Sequence, residues 1–329
     1  MYKEIVRALQ NGVSPLLLTG IGSENLGNNC AVIGDSAIGD SSLLPTDTSI
    51  PIKLPAVLEN VLIERIVTAP ELILCGAGHV SVQTAKVAKL CGFSVTVIDE
   101  REEFANRERF PEADKIINAP FQEALAQTVS QNPYYVIVTR GHRDDKACLE
   151  EVLRRPFAYC GMIGSRTKVG VVFSHLLDNG YTSEQIAKVH APIGLSIGAV
   201  TPEEIAVSIV GELIQVKNSG HSGTEWDNAL CHAVTNLQTP YAMVTLISKS
   251  GSAPRSTGAR MIVSRDGSII SSIGGGFGEF EAAQHAVQML KDNIPVKRYT
   301  CSMTNRDASD AGMVCGGSVD VLIQIIREE

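Results

Sequence analysis

ELILCGAGHVSVQTAKVAKLCGFSVTVIDER, residues 71–101, decides how this chain folds. The apolar run Leu72–Cys75 has the length of a buried strand, and Gly76-Ala77-Gly78-His79 follows it at once. Val80, Ala85, Ala88 and Leu90 mark one face of a helix, and Val95-Thr96-Val97-Ile98 is a second, β-branched strand. Asp99 closes the unit about 20 residues after Gly78. Strand, Gly-x-Gly turn, helix, strand and acid are the layout of a dinucleotide-binding βαβ unit. Gly76 supplies the tight turn, and Gly78 lets backbone N–H groups approach a pyrophosphate at the positive end of the helix. Asp99 is placed to accept hydrogen bonds from a ribose. Ser81 stands where a third glycine is usual, and its small side chain still lets helix and strand lie close. The same turn can be built without holding a dinucleotide, so the stretch speaks for the fold before it speaks for a ligand.

The alternation continues downstream. Lys115–Asn118 and Tyr134–Thr139 read as strands, Asp144–Arg155 as a helix, Phe157–Ile163 as a strand and Lys168–Leu177 as a helix. Strands alternating with helices give right-handed crossovers and a parallel sheet. In Thr201-Pro202-Glu203-Glu204, Thr201 is a cap, Pro202 the first helical residue and Glu204 the far side of a capping box. Ile205, Ile209, Val210, Leu213 and Val216 then recur at helical spacing. A Rossmann-like nucleotide-binding domain is therefore expected over residues 69–218. NSGHSGT (218–224) has linker composition. A smaller α+β domain follows over 225–329, with a helix expected from Glu225 to Leu237 and a long one after Glu279. Residues 1–68 form a β-rich segment with strands at 16–19, 30–33 and 61–64.

That segment echoes the last domain. LLLTGIGSENLGNNCAVIGDSAIGDSS (16–42) runs in the order of LISKSGSAPRSTGARMIVSRDGSIISSIGGG (246–276): strand, Gly-Ser, Gly, apolar strand, Gly, Ser-rich turn. Val61-Leu62-Ile63-Glu64 aligns with Val321-Leu322-Ile323-Gln324, and Gly27 with Gly258. The early segment reads as a degenerate, shortened copy that keeps the strands but lacks the later glycine runs. Chance likeness among Gly/Ser-rich strands accounts for the same pattern equally well.

The 329 residues suggest two or three domains, and 44% hydrophobic content is ample for packed cores. A net charge of −8 with no basic cluster argues against a nucleic-acid partner. No apolar run reaches transmembrane length, so no membrane partner is expected. MYKEIVRALQNG at the N-terminus reads as an amphipathic helix start and not as a signal peptide. Eight cysteines show no C-x-x-C and no zinc-like spacing, so no metal ligands are assigned. Cys75, Cys91, Cys148 and Cys160 lie in apolar runs as core thiols, as expected in a reducing cytoplasm.

Several loops have the residue types that hold anions. His142, between Arg140 and Arg143, follows a strong strand, where open parallel sheets bind ligands. It can equally belong to a solvated helix cap. Gly164, Ser165 and Arg166 sit between a strand and a helix, where backbone N–H groups can meet a phosphate. Arg255 ends the turn Gly251-Ser-Ala-Pro. Gly274, Gly275 and Gly276 run from a strand into a helix and can form an anion nest, with Glu279 in the helix start. Cys315 stands beside Gly316 and Gly317, and bare backbone N–H groups near Arg255 would favour its thiolate. Each alone could be a sheet turn; together they favour a site.

These motifs resemble the XdhC/CoxI accessory proteins of molybdenum-hydroxylase maturation. The likeness rests on GAGHV (76–80), VTVIDER (95–101), RFPEAD (109–114), GMIGSR (161–166), PIGLSIGA (192–199), TPEEIAVSI (201–209), GSAPRSTGARM (251–261), IGGGFGE (273–279) and VCGG (314–317). The resemblance implies a dimeric cytoplasmic factor that binds molybdenum cofactor, a molybdopterin, and supports its sulfuration with a cysteine desulfurase. It would then hand the cofactor to a xanthine dehydrogenase-like hydroxylase. It implies phosphate held by residues 274–276 and 316–317, and an anionic oxygen at Arg255. Cys315 would lie near the metal or carry sulfur, and Glu279 would bond the pterin edge or relay a proton. Two departures stand out. The complete small domain lies after the α/β domain here, and Phe277 occupies a place where some members have a second cysteine. The rival readings are an NAD(P)-dependent oxidoreductase, with His79 or His142 as acid/base, and a structural subunit of a hydroxylase.

Overall fold

The computed structural model describes residues 1–45, 53–128, 130–219, 223–237, 240–250, 256–302 and 318–327, without the side chains of His142 and Ser302. It divides into two compact units, one made of residues 1–68 and 222–329, the other of residues 69–221. The β-rich segment and the last domain, separate in the sequence reading, thus share one unit.

In chain order, α1 (Tyr2–Gln10) leads into β1 (Leu16–Gly20), β2 (Asn29–Ile33), β3 (Ser36–Gly39), β4 (Ala56–Leu58) and β5 (Val61–Thr68). The α/β unit follows with β6 (Glu71–Cys75), α2 (His79–Leu90), β7 (Ser94–Ile98), β8 (Lys115–Ile117), α3 (Phe121–Gln127) and β9 (Pro133–Ile137). It continues with α4 (His142–Val152), β10 (Tyr159–Met162), α5 (Arg166–Asp178), α6 (Ser183–Ile186), β11 (Val189–His190) and α7 (Pro202–Ser219). The first unit then resumes with β12 (Thr224–Trp226), α8 (Asn228–Asn236), β13 (Tyr241–Ser250), β14 (Arg260–Val263) and β15 (Ile269–Ser271). Its last elements are α9 (Gly276–Asp292), β16 (Val296–Ser302) and β17 (Ser318–Ile326).

In the α/β unit every strand pair is parallel, in the order β11-β10-β9-β6-β7-β8. The chain builds outward from β6 to β8, then returns to the other side of β6 with β9. The β6/β9 boundary is therefore the topological switch point, where such sheets hold ligands at their carboxyl ends. Strand residues alternate between two cores. Leu72, Leu74, Val95, Val97 and Val136 face Ala85 and Ala88 of α2 and Ile209 and Leu213 of α7. Ile73, Cys75, Ile98, Tyr135 and Ile137 face Leu149 and Val172 on the opposite side. The turn after β6 forms as the sequence requires. Gly76 has φ +114°, and a Cβ there would lie 2.5 Å from the Val138 carbonyl oxygen. Ser81 is fully buried, and its hydroxyl donates to the Gly76 carbonyl at 2.6 Å, closing helix onto strand without a third glycine. The capping box of α7 is present: the Glu204 N–H donates to Thr201 Oγ1 at 3.3 Å, and the Thr201 N–H to Glu204 Oε2 at 3.1 Å.

The other unit is built twice over. One sheet contains β4-β5-β1-β2-β3, with β12 added parallel to the far end of β5; the other is β16-β17-β13-β14-β15. The correspondence holds to the residue. Thr19 pairs with Asn29 and Leu62, and Thr245 pairs with Arg260 and Leu322. The Gly27 N–H donates to Gly20, as the Gly258 N–H does to Leu246. Glu64 and Gln324 occupy the same place opposite Leu17 and Met243. Helices α1 and α8, each of nine residues, precede equivalent strands. The two sheets thus correspond strand for strand and in register, as the early segment's reading as a shortened copy expects. Of the long helix α9 the first copy has no counterpart among its described residues; Leu43, Leu44 and Leu54 cover the equivalent sheet face there. The helix expected from Glu225 starts three residues later. Glu225 and Trp226 belong to β12, and Asp227 caps α8 by accepting from the Leu230 N–H at 2.7 Å.

Candidate functional site

Two helices begin at the switch point without a side chain to cap them. Gly78 precedes α2 and Gly141 precedes α4, and neither glycine has a side chain to cap its helix, although the Gly141 N–H itself donates to Thr139 Oγ1 at 3.4 Å. The backbone N–H groups of a first helical turn have no partner within the helix and sit at its positive end, so they attract anions. The Gly76 turn lies against Val138 and Thr139, directly after β9, which puts both helix starts beside one crevice. Gly78 faces open space: no atom lies within 4 Å of a Cβ placed there. His79, Val82, Gln83, Phe104 and Arg109 line an adjacent cleft of about 490 Å³. The Phe104 ring lies beneath two guanidiniums, Arg101 at 3.8 Å and Arg109 at 4.8 Å from its centre. An open turn, two uncapped helices and a cation-flanked aromatic floor suit a phosphate joined to a flat ring.

Asp99, expected as a ribose acceptor, is engaged within the chain. It is 2% exposed, and both oxygens are taken within the chain. Oδ1 accepts from the Arg101 N–H at 3.1 Å and Nε at 2.8 Å; Oδ2 accepts from the Ala77 N–H at 2.9 Å and Arg101 Nη2 at 2.7 Å. Burial disfavours its charge, but these hydrogen bonds outweigh burial and hold the carboxyl below its ordinary range. Asp99 thus clamps the glycine turn, with both of its oxygens engaged inside the chain.

The Ile163–Arg166 loop also differs from expectation. Ser165 turns its hydroxyl onto its own helix, accepting from the Lys168 N–H at 3.2 Å, while Arg166 is exposed and Gly164 packs near the Lys168 stem. Two residues not singled out from the sequence matter more. Asp145, fully buried, accepts from the Thr139 hydroxyl at 2.7 Å and pairs with Lys168 Nζ at 2.5 Å; Lys168 also donates to the Ile163 carbonyl at 3.3 Å. This pair ties the loops after β9 and β10 together. Its sequence signal was only an acid and a lysine in the first turns of successive helices.

In the other unit the glycine run is folded around the chain's own acid. Gly274, Gly275 and Gly276 all have positive φ, at 137°, 71° and 71°, a region that favours glycine. Glu279 Oε2 accepts from the Ile273 N–H at 2.9 Å, the Gly275 N–H at 3.0 Å and the Ser272 hydroxyl at 2.6 Å. Burial raises its pKa, but these donors prevail and the carboxyl sits below its usual range. The nest expected to hold a phosphate thus holds Glu279. Phe277 and Phe280 project beside it, 37% and 56% exposed, their rings 6.4 Å apart. Arg255, Cys315, Gly316 and Gly317 lie outside the described residues, as does the His142 side chain; His142 itself heads α4. Among the described residues, no group of three His, Cys, Asp or Glu side chains could hold a metal ion, and no helix is long and apolar enough to cross a membrane.

The fold and the crevice define a mixed α/β protein: a Rossmann-type parallel-sheet domain combined with a duplicated antiparallel module. Comparison with known proteins carries this further. The XdhC Rossmann domain matches residues 72–213, and the XdhC and CoxI family matches residues 235–300. The chain belongs to the XdhC/CoxI family. It is 36% identical over 154 residues to the uncharacterized protein YqeB of Escherichia coli (strain K12), covering 47% of this chain and 28% of that protein. It is 35% identical over 160 residues to a probable xanthine dehydrogenase subunit of Bacillus subtilis (strain 168), covering 48% of this chain and 46% of that one. The chain thus spans less than half the length of these relatives. A crystal structure of a xanthine dehydrogenase from Bacillus halodurans matches with a TM-score of 0.52 and 24% identity over 66% of this chain and 63% of that one, a likeness of fold.

Proposed function

We propose that this chain is an accessory protein of a xanthine dehydrogenase-type molybdenum hydroxylase. In this reading it binds molybdenum cofactor, supports its sulfuration with a cysteine desulfurase and delivers it to the hydroxylase. Both family domains in one chain, and a relative described as a probable xanthine dehydrogenase subunit, support the accessory role. The observation that carries a binding step is the pair of uncapped helix starts at the β6/β9 switch point. Backbone N–H groups at Gly78–His79 and at His142 would hold the phosphate of the pterin or of a nucleotide on it, and Phe104 with Arg109 would border the ring. The phosphate is assigned here because the Ile273 and Gly275 N–H groups already serve Glu279. The cofactor, when bound, supplies a dithiolene-held metal able to take sulfur. Arg255 and Cys315 keep their proposed roles as anion partner and sulfur handler.

The test uses the full chain purified from cells that make molybdenum cofactor. Co-purifying pterin is measured by fluorescence after oxidation, and hydroxylase activity is assayed with and without the chain. Bound pterin that falls on Gly78→Val, with sulfuration lost on Cys315→Ala, supports the reading. No pterin and no gain in hydroxylase activity ends it. The rival NAD(P)-dependent oxidoreductase would show tight NADPH or NADH binding with turnover. The closed Asp99 counts against it, since the usual ribose acceptor is occupied. Stable hydroxylase association without any ligand would indicate a purely structural role in that complex.

A further inference from the structure

The duplicated unit has the internal geometry of a two-fold dimer. In a two-fold interface, if one residue touches another across it, the equivalent pair touches too, and residues near the axis meet their own counterparts. Both signatures are present inside this single chain. Glu64 of the first copy bonds Arg260 of the second, next to Gly258; Gln324, the counterpart of Glu64, donates to Gly27 of the first copy at 2.8 Å. Ile21 and Leu62 pack with Ile247 and Leu322, which are their own equivalents. The α1 and α8 residues Ile5, Val6, Leu230 and Val234 share a core with Leu17 and its counterpart Met243.

We infer that the N-terminal copy occupies, within the chain, the face by which the C-terminal module would otherwise bind a second copy of itself. The seam is complete. Leu62, Ile247 and Leu322 are buried, and so are both members of the Glu64–Arg260 pair. The chain therefore does not dimerise through this face. Among the described residues only the second copy carries α9, and only its sequence has the Gly274–Gly276 run, so the chain holds one such glycine turn where a symmetric dimer would hold two. Glu64 is then a positioning residue supplied by the first copy: through Arg260, whose guanidinium also donates to the Gly258 carbonyl at 2.9 Å, it fixes the end of the loop that follows β13. The inference rests on packing alone and holds whatever ligand the site takes.

Cysteine trapping on the full chain tests it. Ile21→Cys/Ile247→Cys should form a disulfide within one chain on mild oxidation, located by peptide mapping, while Ile247→Cys alone should give no disulfide-linked dimer. Leu62→Cys/Leu322→Cys is the second pair, should the first fail to fold. Sedimentation is run alongside, against the chain mass of 35.2 kDa. A covalent dimer from Ile247→Cys or Leu322→Cys alone would overturn the inference, because the seam would then lie between chains. A noncovalent dimer in which neither single variant crosslinks would leave it standing, with contact through another face.

Discussion

Replacing Glu64 with leucine should be the most damaging single change in the duplicated unit. Glu64 and Arg260 are 0% and 1% exposed in their side chains, and Glu64 Oε1 accepts from Arg260 Nη1 at 2.9 Å and from Thr224 Oγ1 at 2.8 Å. Burial alone would lower the Arg260 pKa, yet Glu64 keeps it raised. Glu64→Leu strands a guanidinium in the core, which costs about 3–5 kcal/mol. Domain stabilities of about 5–15 kcal/mol leave little after such a loss. With a urea dependence of about 2 kcal/mol per molar, the midpoint should fall by roughly 2 M. Trp226, the single tryptophan, is 1% exposed, with its ring 5.7 Å from the Arg260 guanidinium, so its emission reports on this core directly. The double variant Glu64→Gln/Arg260→Asn installs the neutral pair that nature keeps at the equivalent place, where Asn29 and Gln324 both donate to the Gly27 carbonyl at 2.9 and 2.8 Å. It should regain about 2 kcal/mol over Glu64→Leu. A Glu64→Leu protein within about 1 kcal/mol of wild type, with unaltered tryptophan emission, would refute the buried seam.

Gly78→Val should leave thermal stability unchanged, since φ is −73° and no atom lies within 4 Å of the new Cβ, yet abolish binding of phosphate-bearing ligands by titration calorimetry. Gly258→Ala should destabilise by about 2 kcal/mol or more, because φ is +93° and the Cβ would collide with Glu64 and Thr224; denaturant unfolding checks it. Asp99→Asn should cost about 2 kcal/mol and loosen the glycine turn. The Asp99 pKa is depressed by folding, so its stabilisation is full above the ordinary carboxylate range and fades as pH falls through the depressed folded value. Melting curves between neutral and acid pH should therefore show a smaller acid-side loss in the variant than in wild type.

The stretch around Gly76 was legible because its signals are local. A turn that needs positive φ, a helix face, an apolar strand and a β-branched one announce themselves within about thirty residues, and Ser81 could be judged from size alone. The correspondence of the two sheets was half legible: Val61–Glu64 and Val321–Gln324 align in sequence, but Gly/Ser-rich strands alone match chance likeness equally well. What escaped the sequence depends on partners far along the chain. Asp99 has the place of a ribose acceptor, but Arg101 folds back onto it. Glu279 looked like a group beside an anion nest and proved to be the anion in it. Glu225 and Trp226 joined β5 as a strand because pairing with Ile66–Thr68 outweighed helical propensity. The reciprocity of Glu64 with Arg260, separated by 196 positions, could not be read from either neighbourhood.

The path of the chain has a further consequence for biosynthesis. β5 ends at Thr68 and β12 pairs alongside it, Trp226 opposite Thr68, so the whole Rossmann domain is spliced between two adjacent strands of the other unit. During translation that inserted domain can finish folding by itself, domains generally folding as units as they emerge. The opening residues cannot: Leu17, Ala31 and Ile66 wait for Met243 and Ile262, made far later, before their apolar side is covered. A nascent chain halted inside the Rossmann domain would thus present a greasy, half-finished sheet, the kind of surface that recruits holding chaperones.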